Sequence, residues 1–519
     1  MIDSTIIRSM YAQHTGTLMP AYKDISPALL ASLTQPESVD TSGLVHAGIK
    51  EQLLASQDRE ADIAIIGSGP AGYVAAIRAA QLGARTVIIE KNAVGGTCLN
   101  VGCIPTKVLL ACVAALEHVK DGASFGVKVD RYELDIPAMM ERKSRVVRQL
   151  VGGVEGLLRK NKIRLVRGTA KITDAHTVVV QTGQVTETIK TRNILIATGS
   201  VPAALPLPGL EIGRDVWTST EALEFDRVPK SMLIIGAGAI GLEAGYTFAR
   251  MGADVLVVEM MPQILPAADA ETAHALQKSL EKAGMKFMLD CTASRAEDTR
   301  GGKKVYLKSG ANEEAREFEK VLVAVGRRAV IEGIGLENAG VATDKRRILV
   351  NEHMQTNVPG IYAAGDCIGE PMLAHVGWTE SVVAVEHMMG MDSRMDYRAF
   401  PACVYTTPEC ASVGLTEQQA RERYKGIRVG KFTFAHNGKA MGIGENEGFV
   451  KIISEAKYGE ILGVHMVGPH VTDMIAEAVL AMRNELTVDE VIAAIHPHPT
   501  LSEVVQEAAM DAQGRSIHK

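Results

Sequence analysis

Two cysteines, Cys98 and Cys103, stand five positions apart in the run Gly95-Gly96-Thr97-Cys98-Leu99-Asn100-Val101-Gly102-Cys103-Ile104-Pro105-Thr106-Lys107. Thiols at this separation can close a small, reducible disulfide. The spacing is neither C-x-x-C nor part of a four-ligand set with histidine nearby, so no metal is assigned. Near the other end, His496-Pro497-His498-Pro499-Thr500-Leu501-Ser502-Glu503 brings imidazole and carboxylate together. With Pro499 at a first helical position, His498 would open a helix and Glu503 would orient its ring. A histidine held in one tautomer by a carboxylate suits proton transfer beside a thiol. Alone, the string also reads as a capped surface helix with two solvent histidines; beside a reactive dithiol, the acid–base reading is preferred.

A dithiol needs an electron acceptor, and the chain offers places for two. Ala61–Ile66 reads as a buried strand, followed by Gly67-Ser68-Gly69-Pro70-Ala71-Gly72, a helical stretch to Leu82, and a second strand ending on Glu90. Gly67 permits the tight turn, Gly69 lets backbone approach a pyrophosphate, and Gly72 allows close helix packing. The helix amides then face phosphate, and Glu90 can accept from a ribose hydroxyl. The same device recurs 169 residues later, as Gly236-Ala237-Gly238-Ala239-Ile240-Gly241 with its acid at Glu259, eighteen residues after the last glycine in both copies. Two fingerprints imply two dinucleotides, and a dithiol enzyme then needs one flavin and one hydride carrier. Glu259 would accept from a free 2′-hydroxyl and repel a 2′-phosphate, which favours NAD over NADP.

Around these frames lie further candidates. Asn193–Ser200 is an apolar strand whose small end, Thr198-Gly199, suits passage close to a flavin, and Gly168 joins that set. Val321–Arg327, with Gly326, plays the parallel part for the second cofactor. Gly365-Asp366 ends another strand on an acid, which could equally be a plain helix cap. The expected class is α/β, with two Rossmann-like dinucleotide-binding domains; a family resemblance carried by motifs along the chain implies a central domain and an α+β C-terminal dimerisation domain as well.

A chain of 519 residues holds roughly three to four domains. A net charge of -6 with dispersed Lys and Arg argues against nucleic acid. Seven cysteines are few and odd in number, which suits a reducing compartment, and the cytoplasm is expected. No apolar stretch is expected to cross a membrane. Residues 1–60 carry Arg8, Lys23, Lys50 and Arg59 against seven acidic residues, the wrong balance for a transit peptide. Short helices are expected from about Asp24-Ile25-Ser26-Pro27 and over Val45 to Leu54.

From residue 61 to about 515 the chain resembles the flavoprotein pyridine nucleotide–disulfide oxidoreductases, and among them the dihydrolipoamide dehydrogenases. The redox string carries the likeness, together with Met372-Leu373-Ala374-His375, Val404-Tyr405-Thr406-Thr407-Pro408-Glu409, Ile461-Leu462-Gly463-Val464-His465 and the ending His498-Pro499-Thr500-Leu501-Ser502-Glu503. The resemblance implies an FAD domain at 61–200, an NAD domain at 201–329, a central domain at 330–399 and an interface domain at 400–519, after an extension of unassigned role at 1–60. It implies a homodimer in which His498 and Glu503 of one subunit complete the Cys98–Cys103 site of the other. Gly96, Thr97, Lys107, Asp366 and Met372–His375 would contact FAD, and Glu243 would pair with Lys107 beside the flavin. The implied activity is oxidation of dihydrolipoamide on the lipoyl domain of a 2-oxo-acid dehydrogenase or glycine cleavage complex, with NAD reduced. A reductase of another small disulfide, glutathione- or mercuric-reductase-like, ranks second, and a retired scaffold subunit third. Val376-Gly377-Trp378-Thr379-Glu380-Ser381 departs from the usual Lys- and Gly-containing continuation, and Asn437-Gly438-Lys439-Ala440 from a common Asn-Ser-Arg-Ala.

Overall fold

The computed structural model describes residues 60–519, so the helices expected near 24–27 and over 45–54 lie outside the described residues. The first fingerprint sits in a seven-stranded sheet. Ala61–Ile66 runs parallel to Thr86–Glu90 on one side and to the end of Val185–Ile196 on the other. Every residue of Ala61–Ile66 is buried, as a strand covered on both faces requires. The long strand Val185–Ile196 does two jobs. Its first half closes an antiparallel meander with Thr177–Thr182, and its second half also takes Ile361–Ala363 as a parallel neighbour. Segments on both sides of the second fingerprint therefore share one sheet.

The second fingerprint lies in a parallel sheet ordered Met285–Met288, Asp254–Val258, Ser231–Ile235, Lys320–Val323, Val216–Trp217. The strand expected over Val321–Arg327 is instead split. It stops at Val323, turns through Gly326 at φ +110, and resumes as Arg327–Ala329 against Ser200–Pro202. The turn is fixed from below, because Gly236 comes so close that a Cβ there would lie 2.5 Å from the Ala324 carbonyl oxygen.

A third, all-antiparallel sheet runs Ala402–Val404, Glu409–Gly414, Ile461–Gly468, Phe449–Glu455, Ile427–Thr433. Helix Glu503–Ala512 lies directly on it at Gly430, where a Cβ would fall 2.0 Å from the Ala508 carbonyl. That close approach seats the first residue of the helix, Glu503. By length and composition Gly96–Lys120 would pass for a membrane-crossing helix, contrary to expectation. It is broken at Gly102 into two helices and buries Leu109, Leu110, Val113 and Leu116 in the core.

A buried charge cluster ties the second parallel sheet's helix Ala270–Lys282 to the antiparallel sheet. Lys451, 2% exposed, reaches Asp269 at 3.0 Å, Glu271 at 3.2 Å and Glu417 at 2.6 Å. Burial alone would lower the lysine, but these carboxylates hold it raised. Despite the same burial penalty, Asp269 and Glu271 are held below their ordinary values, and Lys451 does the same for Glu417. Lys451→Met would leave the buried Asp269 carboxylate without its cation, while Glu271 keeps Lys431 and Glu417 keeps Arg421, and a loss of about 3 kcal/mol is expected by chemical denaturation. Because the carboxylates are depressed, their contribution is intact above the ordinary carboxylate range and drains as pH falls through their folded values. The seam is expected to loosen in acid, and again in strong alkali as pH rises through the raised value of Lys451.

Candidate active site

The redox string opens helix Gly96–Val101 and continues after Gly102 as helix Cys103–Lys120. Its start is pressed onto the first fingerprint, since a Cβ on Gly96 would stand 2.6 Å from the Gly69 Cα. Cys98 is half-buried and Cys103 exposed. The Cys98 S–H donates to the Cys103 sulfur, and this bond, aided by Lys107, pulls Cys103 down to about 7 despite a desolvation cost. The same bond and burial push Cys98 up. The pair is thereby polarised, with Cys103, on the Lys107 side, the more acidic thiol.

Lys107 and Glu243, 136 residues apart, meet at 2.8 Å. The ammonium also lies 4.1 Å from the centre of the Tyr405 ring, and the other Glu243 oxygen accepts the Tyr405 N–H at 3.2 Å. Glu243 is almost fully buried in helix Ala239–Arg250, whose first residues are Ala239 and Ile240. One ion pair thus links the redox helix, the second fingerprint helix and the antiparallel sheet.

The two fingerprints have matching cradles. A Cβ on Gly67 would meet the Ala197 oxygen at 2.3 Å, and one on Gly72 would meet the Gly67 oxygen at 1.9 Å. At the second site Gly241 would meet the Gly236 oxygen at 2.1 Å, while beside Gly238 the space is open. The terminal acids are aimed by the loops themselves. Glu90 accepts from Ser68 N and Oγ and from Asn92 N, and Glu259 accepts from Ala237 N at 2.8 Å and Met261 N at 3.0 Å. An ionised carboxylate has about four acceptor positions, so Glu259 keeps roughly two for ribose hydroxyls. Glycine backbones bared for phosphate, with an acid fixed beside each, fit a dinucleotide at both places.

Gly168 N donates to the Glu90 carbonyl, placing it at the same sheet edge. Gly199 turns at φ +69, and Thr198 spends its hydroxyl on the Val330 carbonyl at 2.6 Å. Asp366 opens a 3-10 turn after Gly365 and accepts from Ser200 Oγ, which in turn accepts from Arg327 Nε at 2.6 Å. Gly365 N donates to Glu380, whose other oxygen accepts from Tyr397. Met372 and Leu373 lead into helix Ala374–Met388, where His375 turns its ring to the Pro401 carbonyl at 2.8 Å. Ser200, Arg327, Glu380 and Tyr405 were not singled out as candidates from the sequence. Arg327 and Ser200 each follow a candidate glycine, which was the available signal.

His498 differs from expectation in its setting. Helix Glu503–Ala512 starts at Glu503, and His498 lies in the preceding turn rather than at a helix start. The reason is that Glu503 reaches back to Thr500 N at 2.8 Å while Thr500 Oγ1 donates to Pro497 O, which closes a turn ahead of the helix. The Asn437 amide anchors that turn at the Thr500 carbonyl. The functional pairing is present nonetheless, with His498 Nδ1 2.8 Å from Glu503. Burial opposes ionisation of Glu503, but the Thr500 N–H and His498 hold its pKa down. The His498 ring is 80% exposed, whereas His496 is tucked against Glu477.

Residues 61–381 match the family model described as pyridine nucleotide-disulphide oxidoreductase, and residues 400–509 match that family's dimerisation domain. The chain is 44% identical to a dihydrolipoyl dehydrogenase of Thermus scotoductus over 88% of its own length and 98% of the relative's. It is 44% identical to the mitochondrial dihydrolipoyl dehydrogenase of Pisum sativum, covering 91% and 95%. Among solved structures it resembles LpdA from Mycobacterium tuberculosis, with a TM-score of 0.80 at 26% identity over 86% of this chain and 99% of that one. The flavoprotein disulfide reductase RclA from Escherichia coli superposes with a TM-score of 0.77 at 27% identity over 86% and 99%. The chain belongs to the pyridine nucleotide–disulphide oxidoreductases, in their dihydrolipoyl dehydrogenase branch, and is an FAD- and NAD-dependent enzyme carrying the dimerisation domain of a homodimer.

Proposed function

We propose that the protein oxidises dihydrolipoamide borne on the lipoyl domain of a 2-oxo-acid dehydrogenase or glycine cleavage complex, through a Cys98–Cys103 disulfide. The observation carrying this is the geometry around the thiol pair: Cys98 and Cys103 flank the break at Gly102 on the redox helices, and Lys107, one turn past Cys103, is fixed by Glu243 at 2.8 Å. Gly67, Gly69, Gly72, Glu90 and Asp366 would hold FAD, and Gly236, Gly238, Gly241 and Glu259 would hold NAD. FAD, when bound, supplies the two-electron acceptor for the dithiol, and NAD takes the pair onward as hydride.

The protein's own groups do the thiol chemistry. His498 of one subunit, its Nδ1 fixed on Glu503, takes a proton at Nε2 from one thiol of dihydrolipoamide. The thiolate attacks Cys98 Sγ, the Cys98–Cys103 bond breaks, and Cys103 leaves as the thiolate that Lys107 stabilises. A thiol of low pKa is the better leaving group. The second substrate thiol then attacks the mixed disulfide, closing lipoamide and releasing Cys98. Cys98 takes the proton that the second substrate thiol gives up, and Cys103, the more acidic of the two, is left beside Lys107. The same reading assigns 61–200 to FAD, 201–329 to NAD, 330–399 to a central domain and 400–519 to the interface. The small, odd cysteine set supports a cytoplasmic setting.

Anaerobic assays of lipoamide, glutathione disulfide and mercuric ion, each with NADH and NADPH, test the reading. Turnover confined to lipoamide with NADH supports it, and preference for another disulfide or for mercuric ion overturns it. For the carrier, a charge-assisted bond to ribose is lost and like charges meet when NADP replaces NAD, so NAD is preferred by at least ~10²-fold. Glu259→Arg should narrow or invert that ratio, read as the dissociation constants of the two nucleotides, with thiol exchange unaffected.

A further inference from the structure

Three helices converge beside Cys98. The redox helix Gly96–Val101 begins against Gly69, at the mouth of helix Pro70–Gln81. Helix Ala374–Met388 packs on the same end, where a Cβ on Gly377 would stand 3.2 Å from the Gly365 Cα and 3.6 Å from the Ala71 Cβ. Two aromatic residues follow these close approaches, Tyr73 and Trp378. The Trp378 indole and the Tyr73 side chain neighbour each other there, and Tyr73 lies within electrostatic reach of the Cys98 sulfur.

Trp378 is nonetheless 41% exposed. An indole carries a single N–H, so most of what it offers outward is an apolar ring face. The polar side chains next to it are committed. Thr379 Oγ1 donates to the His375 carbonyl, Ser381 Oγ to the Trp378 carbonyl, and Glu380 is held by Gly365 and Tyr397. An uncharged aromatic wall beside the less acidic thiol of the pair has no structural task in the subunit that needs its exposure.

We propose that the Trp378 ring is the wall along which the hydrocarbon arm of dihydrolipoamide lies as its thiol reaches Cys98, making Trp378 a specificity-determining residue for long-armed dithiols. This rests on the lipoyl reading above. Losing contact with about two methylenes corresponds to about a tenfold loss of affinity. Trp378→Ala and Trp378→Phe in the FAD-loaded dimer, assayed with dihydrolipoamide and with the short dithiol dithiothreitol, test it. Trp378→Ala is expected to raise KM for dihydrolipoamide about tenfold with kcat within about twofold and no change for dithiothreitol, and Trp378→Phe is expected to restore most of the affinity. Because Trp217 and Trp378 are the two tryptophans of the chain, a Trp217→Phe background isolates Trp378, whose emission should respond to oxidised lipoamide. An unchanged KM, an equal rise for both dithiols, or dissociation of the Trp378→Ala dimer, which would mean that a second copy covers the ring, overturns the assignment. Failure of the wild-type enzyme to oxidise dihydrolipoamide overturns the lipoyl reading itself, whatever the variants do.

Discussion

Cys98→Ser loses dihydrolipoamide oxidation by on the order of 10⁴-fold or more, the scale expected when a covalent nucleophile's partner is removed. With one sulfur gone, no disulfide exists for the substrate thiolate to open. The fold should survive, because Cys98 is only half-buried and serine is smaller. The serine hydroxyl can still donate to Cys103, and Lys107 is untouched, so Cys103 should remain more acidic than an ordinary thiol in this variant. Its alkylation rate against pH checks that point. NADH-dependent ferricyanide reduction, which uses neither thiol, serves as the control and should persist. Near-native dihydrolipoamide turnover would show that Cys98 is not the exchanging thiol.

His498→Gln is the second large effect, a fall of ~10²–10⁴ in dithiol oxidation. The exposed ring packs little, so FAD content and dimerisation should be unchanged. His496 does not replace it, since its Nε2 is held by Glu477 at 2.9 Å. Glu503→Gln should cost less in rate, because an amide can still accept from His498 Nδ1. It cannot offer a full carboxylate to Thr500 N and His498 together, so some loss from a loosened turn is expected. The comparison is made in kcat with saturating NAD. Equal rates for His498→Gln and wild type would remove the histidine from the mechanism.

What could be read from the chain follows the range of the forces involved. The glycine fingerprints and their acids are local motifs, each spanning fewer than thirty positions. Their cradles appear as expected because only a residue lacking Cβ fits against Ala197, Gly67 or Ala324. The Lys107–Glu243 pair spans 136 positions and was reachable only through the family likeness. Contacts of that range that no motif marks went unread, among them Arg327–Ser200–Asp366 and the Lys451 cluster. Two local readings needed correction. The Val321–Arg327 run looks like one strand, but Gly236 below and Ser200–Pro202 alongside split it at Gly326. Pro499 looks like a helix start, but Glu503 bends back to Thr500 and the helix begins later. The acidity of Cys103 was also out of reach, because it depends on which thiol of the pair donates.

The central claim, that electrons from a dihydrolipoyl group pass through Cys98 and Cys103, is tested most directly by counting alkylated sulfurs. The oxidised FAD-loaded dimer is mixed anaerobically with one equivalent of dihydrolipoamide per site, without NAD, quenched with iodoacetamide, and its peptides weighed. The account predicts that the peptide holding Cys98 and Cys103 carries no alkyl group before mixing and two after, while Cys112, Cys291, Cys367, Cys403 and Cys410 are unchanged by the substrate. An unaltered Cys98–Cys103 peptide, or new alkylation at another cysteine in its place, would contradict it.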